Sequence, residues 1–493
     1  MFRIALSSAL CLVMLTHSFA LSANPQPKKK KSRNVIFILT DDHRFDYMGF
    51  TGKIPWLETP NMDRLAKEGA YLPNSFVTTS LCSPSRASIL TGQFSHTHTI
   101  IDNQAPDPGN LTYFPTYLQK AGYQTSFFGK WHMGDSSDNP RAGFDHWESF
   151  KGQGVYYNPE LNINGERIAY KDSTYITDLL TEHAISWLDE RDRSKPFFMY
   201  LSHKAVHAAF KPAKRHLGVY KNKKIPIPPT FEQSKTGKWR DLKWPEWVAK
   251  QRVSWHGVDY MYHDNQDLHE LVQAYCETLL GVDDSIGAVM SYLESEEIDD
   301  STLVIYMGDN GFSWGEHGLI DKRHFYEESV KVPLLVRCPE LFEGGITPTA
   351  MVQNIDIAPT ILAEAGLKQP DHMPGVSFVD VLTGENPAGA RKEIFYEYYW
   401  ENDFPMTPTV FGMRTNKYKY IRYHGIWDRN ELYDLENDPH EMYNLIAEPS
   451  KQDTIKSMLN SLYKWLEESD GMNIPLKPTD RPRWGDFKHA KEY

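Results

Sequence analysis

Cys82-Ser83-Pro84-Ser85-Arg86, running on into Ala87-Ser88-Ile89-Leu90-Thr91-Gly92, places a sulfur, a helix-starting proline and a cation within five residues. Asp41-Asp42 and Asp309-Asn310 add three carboxylates and an amide oxygen. All-oxygen ligation suits a hard cation, and a large flexible set favours Ca²⁺ over Mg²⁺. Gly129-Lys130-Trp131-His132-Met133-Gly134 sets a cation and an imidazole two residues apart. On extended backbone that spacing turns both side chains to one face, so Lys130 can hold an anionic oxygen while His132 moves a proton. Ser202-His203-Lys204-Ala205-Val206-His207 supplies a second candidate acid, and Gly315 to Lys322 ends in another cation, with Tyr326-Glu327 just beyond. A metal, Arg86, two lysines and two histidines match the needs of an anionic ester. Its charge must be neutralised and its leaving oxygen protonated.

The elements that must position these groups are legible as short apolar runs. Asn34 to Thr40 is continuous, the mark of a strand buried on both faces. Similar runs lie at 125–128, 197–201, 302–307 and 332–336, with helical patterns between them at 61–69, 112–121, 174–191, 269–294 and 355–365. Alternating strands and helices predict an α/β fold, with a large mixed, mostly parallel sheet sandwiched by helices. Ligands gather beyond the carboxyl ends of such strands. Asp41-Asp42 closes the first run and Asp309-Asn310 the fourth, so both acidic pairs are expected at one sheet edge. Aromatic, β-prone runs at 393–400, 410–415 and 418–423, then a helical pattern at 455–466, predict a smaller C-terminal antiparallel sheet plus helix.

Composition sets outer limits. The 493 residues are 40% hydrophobic, 13% aromatic and 24% charged, with net charge −12, which fits a soluble globular enzyme and not a nucleic-acid binder. Arg3, an apolar run from Ile4 to Leu15 and small residues up to Ala23 read as a secretory signal peptide, too short for a membrane span. The expected organisation is signal peptide 1–23, basic linker 24–33, catalytic domain 34–384, C-terminal subdomain 385–474 and extended tail 475–493. Within the catalytic domain, residues 210–267 form a long insertion with Trp239, Trp244, Trp247 and Trp255, read as a substrate-shaping lid. The chain is expected to be exported, to the periplasm or outside the cell. Past the signal, Cys276 and Cys338 are expected as free buried thiols.

Taken together, Cys82 to Gly92 and the motifs around it resemble the type I sulfatase family of the alkaline-phosphatase-like superfamily, from Asn34 to about Leu466 and in the family's order. The resemblance implies that a maturation enzyme oxidises Cys82 to formylglycine. Its hydrate offers one hydroxyl to attack sulfur and a second to expel the sulfate, where a serine would be trapped. It further implies one Ca²⁺ on Asp41, Asp42, residue 82, Asp309 and Asn310, with Arg86, Lys130, His132, His207 and Lys322 binding sulfate or moving protons. His207 is preferred to His203 because Lys204-Ala205-Val206-His207 matches the family's run. A serine contact common in the family, expected after Gly143-Phe144-Asp145, is not placed in residues 152–159 and stays unassigned.

Thr40 to Asp46, Ser95 to His98 with Asp102-Asn103, and Ser202 to His207 look most like N-acetylglucosamine-6-sulfatases and bacterial mucin-desulfating or glycosaminoglycan sulfatases. A sulfated oligosaccharide is therefore the expected partner, bound by aromatics and lysines of the insertion. The alternatives are a sulfated algal polysaccharide, a phosphomonoester or phosphonate substrate, and an inactive glycan-binding relative.

Overall fold

A computed structural model describes residues 32–133, 137–260, 267–385 and 391–475. The expected signal peptide, most of the linker and nearly all of the tail lie outside them. A nine-stranded sheet forms the centre. Its strands are β1 (Asn34–Thr40), β2 (Ala70–Tyr71), β4 (Gln124–Gly129), β5 (His146–Ser149), β6 (Glu160–Ile163), β7 (Glu166–Ala169), β8 (Phe197–Ser202), β9 (Thr302–Gly308) and β10 (Leu334–Arg337), in the order β2-β10-β9-β1-β8-β4-β5-β6-β7. The strands β3 (Ser75–Phe76) and β11 (Val352–Gln353) form a separate parallel pair. The five central strands are parallel, as the alternation of runs predicts. The flanks are antiparallel: β10 turns back along β9, and β6 and β7 form an edge hairpin.

Alternation along β1 explains its continuous apolar character. Val35, Phe37 and Leu39 enter one hydrophobic core, and Ile36 and Ile38 enter the core on the other face. The second core is closed by helices Ile176–Glu190 and Leu268–Ser295. In the longer helix, the Asp267 side chain accepts from the first-turn amides of His269 and Glu270, which satisfies donors a helix start otherwise leaves orphaned.

The C-terminal region holds four antiparallel strands, β12 (Glu393–Tyr398), β13 (Thr409–Thr415), β14 (Tyr418–His424) and β15 (Glu431–Asp434), with helix Gln452–Glu468 packed on them. The fourth strand escapes the sequence pattern because Glu431 and Asp434 are acidic yet buried. Three tyrosine hydroxyls, of Tyr326, Tyr423 and Tyr433, donate to Glu431. Ile394, Tyr396, Leu432 and Trp465 share the first core, so this sheet and the central one bury a continuous apolar interior. Cys82, Cys276 and Cys338 are all free and buried.

Candidate active site

Register alone brings four chemistry-bearing segments level. Thr40 pairs with Gly308, Leu39 with Ser202, and Gly129 with Ser202. Asp41, Asp309, Lys130 and His203 each follow these strands by one residue. Backbone bonds carry the alignment past the strand ends: the amides of Asp309 and Lys130 donate to Thr40 and Ser202, and that of Asp41 to Ala205. Gly129 is required where β4 and β8 converge. It has φ +110°, and a Cβ there would lie 1.9 Å from the Ser202 carbonyl oxygen. Asp42 and His132 also adopt left-handed backbone, at φ 52° and 51°, an unfavourable conformation for a side-chain-bearing residue that the surrounding bonds must hold.

Cys82 opens the fully buried helix Cys82–Thr91 at this edge. Its Sγ lies 2.9 Å from Lys322 Nζ and 3.4 Å from Asp41 Oδ1. Burial, with Asp41 adding to it, pushes the thiol up to about 12, so an unmodified Cys82 is a protonated, weak nucleophile at neutral pH. Lys322 also donates to Asp42, and Lys130 to Asp41. Against the cost of burial, Asp42, residue 82 and Asp41 hold Lys322 well above the usual lysine range.

Three carboxylates converge here, those of Asp41, Asp42 and Asp309. Burial and the neighbouring Asp41 raise Asp309 to about 7, opposed by Arg86. Burial is outweighed at Asp41, where Lys130, Arg86 and Lys322 hold the carboxyl well below its ordinary range. Asn310 donates from Nδ2 to Asp42 Oδ1 at 2.7 Å, while its buried Oδ1 has no hydrogen-bond partner among the described residues. An orphaned amide oxygen beside three carboxylates fits a hard divalent cation.

Arg86 is turned toward the carboxylates. Its Nε and Nη2 reach Asp309 Oδ2 at 2.9 and 2.8 Å, and Nη1 donates to Ser202 Oγ at 2.7 Å. His207 Nε2 lies 4.0 Å from Asp42 Oδ2, and Nδ1 is 2.7 Å from the Ala208 carbonyl. Burial lowers His207 well below the usual imidazole range, with Lys130, Lys322 and Lys204 reinforcing it against Asp41. Burial and Lys130 do the same to His132. Both rings are therefore neutral before an anion arrives. His203 is fully buried beside Ser285, 3.1 Å away, and does not line the cavity.

Of these groups, Asp42, His132, His207 and Lys322 line a cavity of about 470 Å³. The sequence assigns no individual role to several of its walls. Gln153 Oε1 accepts from Lys130 Nζ at 2.5 Å, and Gln153 lines the cavity. It lies within residues 152–159, where the family's serine contact is unassigned. Asn103 holds the Ser83 amide at 3.0 Å. Arg323 is clamped by Glu401 and Asp321, at 2.7 and 3.1 Å, beneath the Phe404 ring. From the insertion, Phe210, Trp255 and His256 reach the cavity. Trp244 and Trp247 are instead buried against the C-terminal region, bonded to the Met442 carbonyl and Asp428.

The Sulfatase family model matches residues 33–367, which span every cavity residue named above except Glu401 and Phe404. The chain belongs to the sulfatase family. It is a sulfuric ester hydrolase, as the Cys82 motif and its surroundings imply. A second model, N-sulphoglucosamine sulphohydrolase C-terminal, matches residues 315–468 of this sulfatase. An N-acetylglucosamine-6-O-sulfatase of Bacteroides thetaiotaomicron is 35% identical, with 94% of this chain and 92% of the relative covered. The N-acetylglucosamine-6-sulfatase of Homo sapiens is 29% identical over 85% of this chain and 80% of its own length. A solved structure in complex with its substrate, D-glucosamine-2-N,6-O-disulfate, is 33% identical with TM-score 0.79, covering 90% of this chain and 99% of that one. No helix among the described residues of the sulfatase is long and apolar enough to cross a membrane.

Proposed function

We propose that this sulfatase hydrolyses the 6-O-sulfate of glucosamine-type sugars in glycosaminoglycan or mucin chains, with residue 82 as formylglycine and one Ca²⁺. The observation that carries the reading is the placement of Cys82 between Asp41 and Lys322, the lysine itself lining a sugar-sized cavity. Near-full-length similarity to an N-acetylglucosamine-6-O-sulfatase supports the sugar and the position. Asp41, Asp42, residue 82, Asp309 and Asn310 would hold the calcium ion, which when bound supplies a Lewis acid for a sulfate oxygen. Formylglycine, made by the maturation enzyme, supplies a hydrated carbon with two hydroxyls. The expected export to the periplasm or beyond suits a polymer substrate.

The remaining chemistry falls to the protein's own side chains. Lys130 and Lys322, both buried, neutralise the sulfate oxygens in a site that excludes water. Arg86 holds Asp309 in place and lends its charge through that carboxylate. His132, neutral, takes the proton of the attacking hydroxyl, with Ser83 Oγ 3.3 Å from its Nδ1. His207 protonates the leaving sugar oxygen. It lacks that proton in the free site because burial disfavours its charge and three lysines face it, and a bound sulfate offsets the lysines' field and favours the proton's return.

His207→Ala is therefore expected to cost about 10²–10⁴ in rate on a sugar sulfate and far less on an activated aryl sulfate. His132→Ala should hurt both substrates alike. Equal losses for the two substrates in His207→Ala would reduce His207 to a binding group and move the acid to Lys322.

A panel of defined saccharides tests the substrate. Sulfate should be released from 6-O-sulfated glucosamine and N-acetylglucosamine, and not from their 3-O- or N-sulfated isomers. Release from an algal galactan sulfate alone would overturn the sugar. Faster turnover of an aryl phosphate than of the matching aryl sulfate would overturn the reaction.

A further inference from the structure

Hairpin geometry puts two loops side by side. In a sheet ordered β12-β13-β14-β15, the β12–β13 and β14–β15 loops leave the same end. Tyr398 pairs with Val410, and Thr409 with His424, so residues 399–408 and 425–430 emerge level with each other. The first loop already belongs to the catalytic cavity through Glu401 and Phe404. Its Asp403 also accepts from Gln104, another cavity residue. The second loop is tied to the insertion, where the Trp247 amide donates to Asp428 at 2.9 Å.

These two loops carry several exposed apolar side chains. Trp427 is fully exposed, and Trp400, Met406 and Ile426 are each more than a third exposed. Exposing so much apolar area in two short polar loops is costly unless something covers it. The same two loops also carry exposed Asn402 and Arg429. Indole planes beside hydrogen-bonding groups and a guanidinium suit a sugar ring, which is apolar on its faces, polar at its rim and here sulfated.

From this we infer that Trp427 and Trp400 form a second glycan subsite, which binds sugars beyond the one that carries the scissile sulfate. The occupant is the continuing chain of a sulfated oligosaccharide, because the platform adjoins the cavity through the loop that carries Phe404. The inference rests on the glycan reading of the cavity. It makes the preferred substrate an oligomer, not a monosaccharide.

The test compares sulfate release from 6-O-sulfated N-acetylglucosamine with release from a tetrasaccharide carrying that sugar at its end. Wild-type enzyme should show the higher kcat/KM on the tetrasaccharide. Trp400→Ala/Trp427→Ala should lose about tenfold on the tetrasaccharide, mostly in KM, and nothing on the monosaccharide. Equal kcat/KM values for the two substrates in wild-type enzyme would overturn the subsite. Equal losses on both substrates, or no loss on either, would also do so. Calorimetric binding of the tetrasaccharide to Cys82→Ala separates this from failure of the substrate reading, since it needs no turnover. Binding weakened by the tryptophan substitutions supports the subsite even if no sulfate is released, and unchanged binding sinks it. A dimer in solution that Trp427→Ala dissociates, with glycan binding unchanged, would assign the patch to a second copy instead.

Discussion

Cys82→Ala is expected to bring sulfate release down to the uncatalysed background, a loss of about 10⁶-fold or more. No other group beside Cys82 is placed to replace a covalent nucleophile: the lysines are paired with carboxylates, and the proposed mechanism uses the two histidines for proton transfer. The fold should survive, because only the head of one small buried side chain is lost, worth about 1 kcal/mol of burial. Unfolding monitored by circular dichroism should therefore be nearly unchanged while turnover disappears. Cys82→Ser separates nucleophile from leaving mechanism. It should pass at most one sulfate to the enzyme and stop, since a serine has no second hydroxyl with which to expel it. Sustained turnover by either variant would place the nucleophile elsewhere.

Removing the cation should come next in size. Asp309→Asn keeps the shape of the side chain but removes one of three converging charges and the anionic partner of Arg86. The expected cost is on the order of 10³-fold in kcat, since a Lewis acid contributes several kcal/mol to a transition state that gathers negative charge. Metal analysis should find one calcium per wild-type chain and none in the variant. Chelation of wild-type enzyme should reproduce the loss, and added calcium should reverse it. Stoichiometric zinc without calcium would contradict the assignment.

Much of the site was legible because its groups sit at strand ends. Continuous apolar runs locate β1, β4, β8 and β9, and the polar residue after each run is by construction at the carboxyl edge of the sheet. Asp41, Lys130 and Asp309 needed only that rule. The walls of the cavity obey no such rule. Gln153 comes from a turn whose path depends on its packing, and Glu401 and Phe404 come from a hairpin more than 300 residues after Cys82. The strand β15 was hidden because a buried glutamate reads as surface until the three tyrosines around it are known. The insertion's tryptophans divide for the same reason: Trp244 and Trp247 find a partner sheet that their own sequence does not announce, while Trp255 faces the cavity.

Peptide mass spectrometry of the fragment containing residue 82, taken from enzyme of measured activity, tests the account most directly. Active protein should show the thiol mass replaced by that of an aldehyde or its hydrate at residue 82, and specific activity should rise in proportion to the converted fraction. Unmodified cysteine throughout a fully active preparation would contradict it.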